Sequence, residues 1–184
     1  YNTAYFGKWH IDRDERLEEF GWEINVSSGS ELFKKRRREA GGSSGRYLLS
    51  KYIEAPEGYE RRLLYGVTDL PPERRPMGIT VDLALEFLEE VAGGSRPWCC
   101  FVSVPEPHDP FVAGAEAFKL YDVDSIPLPP SREDDLSDKP GIYRKAARIW
   151  EGLTEREMKE AAACYYASIT EIDRQFGRLI SFLE

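Results

Sequence analysis

Trp98-Cys99-Cys100-Phe101-Val102-Ser103-Val104 is a near-continuous apolar run with Pro97 before it and Pro105 after it. It is far shorter than the roughly 20 residues a membrane helix needs. Its length and proline boundaries predict a strand buried on both faces, at the centre of a parallel sheet covered by helices. Residues 80–91 come just before it. Ala84, Phe87, Leu88 and Val91 fall at i, i+3, i+4 and i+7 there, one apolar helix face, with Thr80 as N-cap and Gly93-Gly94 as the stop. A helix followed by a buried strand is the second half of a βαβ-like arrangement, so the fold class is α/β.

Other elements arrange themselves around that unit. Residues 3–7 read as a short strand and 20–26 as a second, with a turn at 12–16 between them. The run Lys34-Lys35-Arg36-Arg37-Arg38 followed by Gly41-Gly42-Ser43-Ser44-Gly45 predicts a solvated loop. Residues 52–75 read as loop, with Pro56, Pro71, Pro72 and Pro76 breaking any long element. The whole of 27–73 is expected to be a variable loop or insertion. Residues 105–150 are expected to form an ordered loop region with short helices over the active-site end of the sheet. Thr154-Glu155-Arg156-Glu157 is a capping box. It opens a helix running to about residue 183, roughly 45 Å long. Its apolar stripe is Met158, Ala162, Tyr165, Ile169, Ile172, Phe176, Leu179 and Leu183.

With 184 residues the chain is one domain or a large part of one. It starts at Tyr1 inside a motif and stops on a helical pattern, which reads as an internal fragment. A formal charge of -8 excludes a general nucleic-acid binder, because neutralising phosphates takes a basic face. Three cysteines without C-x-x-C spacing make neither a disulfide framework nor a metal knuckle, and predict small buried hydrophobes. Paired thiols of this kind fit a reducing compartment better than an oxidising one.

The chain has only two histidines. His10 closes Gly7-Lys8-Trp9-His10, and His108 lies in Pro105-Glu106-Pro107-His108-Asp109-Pro110-Phe111. In an extended chain residues two apart share a side, so Lys8 and His10 face one way and Trp9 the other. An ammonium beside an imidazole suits a tetrahedral oxyanion. Both motifs follow the carboxyl ends of predicted strands, where α/β sheets bind ligands, so the three side chains are expected to converge. Asp12 and Asp109 are placed to orient a neighbour. Glu133-Asp134-Asp135 reads as solvated surface, not as a cation site.

Tyr1-Asn2-Thr3-Ala4-Tyr5-Phe6-Gly7-Lys8-Trp9-His10 closely resembles the second signature of the sulfatase family, in the alkaline-phosphatase-like superfamily. Residues 102–111 resemble that family's strand followed by Pro-His-x-Pro-Phe. Residues 121–130 and 136–140 are similar to the loop beyond it, and residues 165–179 to the helix before the family's second metal segment. The resemblance implies a three-layer α/β/α sandwich with a mostly parallel mixed sheet, of which this chain is a part. It implies a sulfuric ester hydrolase that uses formylglycine and a divalent cation, usually Ca2+. On that pattern Lys8 binds the sulfate and the nucleophile's oxygens, and His10 holds the formylglycine hydroxyl. His108 hydrogen-bonds the ester oxygen and assists the leaving group. No cysteine stands in the C/S-x-P/A-x-R nucleophile motif, and no metal ligand is assigned within the chain. Both groups are expected outside it, which would leave it inactive alone. The implied partner is a small-molecule or carbohydrate sulfate ester, with neither nucleic acid nor membrane. A phosphodiester or phosphonate monoester hydrolase of the same superfamily, or a non-catalytic anion-binding relative, are the alternatives.

Overall fold

The computed structural model describes residues 1–11, 16–41, 45–54 and 60–184. In chain order the elements are β1 (Asn2–Gly7), β2 (Ile24–Ser27), α1 (Glu31–Glu39), β3 (Tyr47–Ile53), β4 (Arg62–Thr68), α2 (Pro76–Val91), β5 (Trp98–Ser103), β6 (Phe111–Gly114), α3 (Ala115–Phe118), α4 (Gly141–Ala147) and α5 (Glu155–Leu183). The expected α/β class is present, its strands divided between a parallel and a mixed sheet. Two compact units result, one spanning residues 1–45, 70–106 and 171–184, the other 46–69 and 107–170.

The first unit carries the parallel sheet, in the order β2-β1-β5. Gly7 pairs with Ser27 on one side and Ser103 on the other, so all three strands end together. One sheet face is packed by helices: Ala4, Phe6 and Val26 meet Ile79, Leu83, Ala84, Phe87 and Leu88 of α2, Phe33 of α1 and Leu179 of α5. Each of the larger of these side chains contributes about 2 kcal/mol by leaving water. α2 starts four residues earlier than the sequence predicts, because Pro76 takes the first helical position. Thr80 is therefore no cap. It is buried within the helix, and its hydroxyl donates to the Pro76 carbonyl at 2.8 Å.

Three further expectations are corrected here. Residues 34–38 are not loop but most of α1, capped by the Ser30 hydroxyl, which accepts from the Phe33 N–H at 3.2 Å. Arg36, Arg37 and Arg38 fall in its last turn, where cations favour the helix dipole. The neighbouring Gly42, Ser43 and Ser44 lie outside the described residues, as do 12–15 of the predicted turn. β5 is not buried on both faces. Cys99 and Phe101 are exposed on one side, because among the described residues β5 has a single strand neighbour and helices on one face only. Cys164 alone of the cysteines is buried.

The second unit carries the mixed sheet β3-β4-β6, with β3 antiparallel and β6 parallel to β4. Residues 52–75, read as loop, thus contain the end of β3 and all of β4. Gly66 leaves room for the Tyr47 ring: a Cβ there would come within 2.6 Å of it. Leu64, Tyr65 and Val67 pack on Ala161 and Cys164 of α5. The capping box forms as expected. Thr154 N–H donates to Glu157 Oε2 at 2.8 Å, and Glu157 N–H to Thr154 Oγ1 at 3.2 Å.

The buried stripe of α5 differs from the apolar one. Ala161, Cys164, Ser168, Glu171, Gln175 and Leu179 face inward, while Tyr165 and Ile169 are exposed. The helix is rotated by about one residue from its hydrophobic pattern. Small residues let it pack closely, and Glu171 and Gln175 are buried against charged side chains. Glu171 pairs with Arg75, and Gln175 Nε2 donates to Glu73 Oε1 at 2.9 Å. Breaking such a buried ion pair from one side costs about 3–5 kcal/mol.

Candidate active site

Lys8 and His10 follow the carboxyl end of β1, and Val104 to Glu106 leave the same end of the sheet from β5. The parallel strands and the common exit expected from the sequence are present. Lys8 and His10 belong to the first unit and His108 to the second.

Each residue of the opening motif has a local task. The Thr3 hydroxyl donates to the Gly21 carbonyl and accepts from the Glu23 N–H, both at 2.9 Å, clipping the returning chain to β1. Gly7 has φ +96°, and a Cβ there would sit 1.9 Å from the Ser103 carbonyl oxygen. Only glycine allows both the left-handed backbone and that approach. The close pass lets Lys8 N–H donate to Ser103 O and Ser28 N–H to Gly7 O, each at 2.7 Å. Trp9 turns inward, against Tyr5 and Phe20 at centroid distances of 5.1 and 5.0 Å. Its indole N–H is buried without a partner among the described residues. With Trp9 buried, Lys8 is half-buried and His10 exposed. Among the described residues neither the Lys8 ammonium nor the His10 ring is engaged by a protein partner.

Tyr5 is a residue that sequence reasoning missed. It is 4% exposed. Phe101 stacks on its ring at 5.1 Å, and Trp22 meets it edge-on at 5.4 Å. Its hydroxyl donates to the Lys8 carbonyl. The aromatic content of residues 1–10 was a signal for this cluster, but not for its hydrogen bond.

His108 is exposed. Its Nδ1 lies 2.7 Å from the Asp109 carbonyl oxygen and 3.0 Å from the Asp109 carboxylate. Asp109 therefore touches its neighbour's ring at Nδ1 through both its carbonyl and its carboxylate; Asp12 lies outside the described residues. Just before this segment, Glu106 enters a second feature that the sequence hid. Burial holds its carboxyl above the usual carboxylate range, and Glu171 adds to this, against the opposing pull of Arg75 and of the Met77 N–H at the start of α2. Cys100 is no activated nucleophile: burial pushes its thiol up to about 11.

Among the described residues no three His, Cys, Asp or Glu side chains gather closely enough to hold a metal ion. Glu133, Asp134 and Asp135 are exposed. Hydrogen bonds from Ser137 hold the Asp135 carboxyl below its ordinary range. No helix of the described residues is long and apolar enough to cross a membrane.

This geometry meets an independent finding. The family model described as Sulfatase matches residues 1–184. The chain belongs to the sulfatase family. It is 26% identical over 195 residues to the uncharacterized sulfatase YidJ of Escherichia coli, covering 100% of this chain and 36% of that protein. It is 26% identical over 163 residues to iduronate 2-sulfatase of Homo sapiens, covering 77% of this chain and 29% of that protein. The fold matches the phosphonate monoester hydrolase SpPMH from Silicibacter pomeroyi with a TM-score of 0.66 at 21% identity, over 99% of this chain and 41% of that one. The chain spans about a third of the length of these curated relatives.

Proposed function

We propose that this chain supplies the anion-binding donors of a sulfate-ester hydrolase. The observation that carries this reading is the turn Gly7-Lys8-Trp9-His10, which leaves an ammonium and an imidazole reachable at the carboxyl end of a parallel sheet. Lys8 binds the sulfate oxygens, and its charge offsets the negative charge that grows there. His10 holds and passes the proton of the attacking oxygen. His108 donates to the bridging ester oxygen as the bond to the leaving group breaks, with Asp109 orienting its ring from Nδ1. The substrate is a small-molecule or carbohydrate sulfate ester. The family resemblance implies calcium and formylglycine; among the described residues no group of three His, Cys, Asp or Glu side chains could hold the cation.

The test is kinetic, on the full-length protein with para-nitrophenyl sulfate and para-nitrophenyl phenylphosphonate as paired substrates. Lys8→Ala and His108→Ala each lower kcat/KM by at least about tenfold, ~1.4 kcal/mol. Unchanged kinetics in both variants would overturn the site. Preference for the phosphonate over the sulfate would move the reaction to phosphoester chemistry on the same donors.

A further inference from the structure

The Tyr5 hydroxyl binds the carbonyl of the residue that the proposed reading puts on the sulfate. Three aromatic rings grip the Tyr5 ring: Phe101 on its face, Trp9 and Trp22 at its edges. A tyrosine has two rotatable side-chain bonds, so a ring held this way fixes its oxygen in space. The bond partner is the Lys8 carbonyl, just after the left-handed Gly7 takes the chain out of β1. Pinning that carbonyl fixes the plane of the peptide between Lys8 and Trp9. The plane sets the directions in which the Lys8 and Trp9 side chains leave the backbone, and His10 follows one peptide later.

We infer that Tyr5 is a positioning residue for Lys8 and His10, holding the turn through its hydroxyl bond to the Lys8 carbonyl. The inference rests on the proposed hydrolase reading and adds to it a residue that does not touch substrate. One hydrogen bond contributes little to stability. Its effect on rate can be larger, because displacing a reacting group by about 1 Å costs up to roughly a hundredfold.

Tyr5→Phe tests this, since it keeps the ring and its three aromatic contacts and removes only the donor. In the full-length protein, on whichever of the two nitrophenyl esters is turned over, kcat falls by about three- to tenfold with KM changed less than about twofold. The melting temperature stays within a few degrees of wild type. In a Lys8→Ala background the same substitution has a markedly smaller effect, because the group it positions is gone. A Tyr5→Phe variant with unchanged kcat, or with an equal loss in the Lys8→Ala background, overturns the inference while the hydrolase reading stands. If Lys8→Ala itself leaves the kinetics unchanged, the inference fails; if His108→Ala leaves them unchanged as well, the hydrolase reading fails with it.

Discussion

The segment carrying Lys8 and His10 is anchored through residues 5–9, whereas the segment carrying His108 is held mainly at its two ends. In the first, Gly7 and Lys8 are tied to β2 and β5 by backbone hydrogen bonds, Tyr5 holds the Lys8 carbonyl, and Trp9 is driven into an aromatic cluster. In the second, residues 108–110 are exposed and the histidine's polar contacts are to its own neighbour. Firm points come before and after: Glu106 against Met77 and Arg75, and Phe111 in register with Tyr65 of β4 and edge-on to Tyr165. The difference matches the proposed tasks. A group that binds the anion gains from being fixed in advance.

The largest blow to this contrast is Gly7→Ala. The added methyl meets the Ser103 carbonyl at 1.9 Å on a backbone with φ +96°, so the β1–β5 edge must part. We expect a loss above about 3 kcal/mol in urea denaturation of the full-length protein, with activity abolished. A stable and active Gly7→Ala would show that the turn is not the anchored element described. Asp109→Ala, in the other segment, should do far less. Both side chains of the His108–Asp109 contact are exposed, so stability should move by no more than about 0.5 kcal/mol, and kcat/KM by less than about fivefold. A loss as large as that of His108→Ala would make Asp109 an essential partner and blur the comparison.

The smallest effect is on pH dependence. Burial raises the Glu106 carboxyl above its value in the unfolded chain. The folded state therefore holds this proton more tightly than the unfolded state does. The resulting stabilisation is complete below the unfolded value, and it is lost as pH rises through the folded one. Glu106→Gln, uncharged at every pH, should gain melting temperature over wild type as pH rises above the carboxylate range, and converge with it in acid. Parallel curves for the two proteins would show that burial does not set this group's charge.

Much of this was legible from residue order. Glycine, lysine, tryptophan and histidine in succession marked the motif, but as extended chain and not as the turn that Gly7 makes at φ +96°, and Thr154 with Glu157 marked the start of α5. The helix over residues 80–91 was recognised, but its start was misplaced, because Pro76 outweighs a threonine that the fold needed inside. The buried stripe of α5 was missed by about one residue. Periodicity scores hydrophobicity, and here Glu171 and Gln175 are buried by virtue of partners far away in sequence. β4 was masked by the prolines on either side of it, and its strand pairing is long-range.

The sequence by itself determined the α/β class, the two histidine motifs and the family they resemble, because those depend on local spacing and on residue types with few substitutes. Only the tertiary structure decided which carbonyl Gly7 passes beneath, which ring holds Lys8, and which charges are buried behind Glu106. Each of these depends on atoms brought together from distant parts of the chain, where packing and desolvation set the energy and residue order carries no direct trace of either.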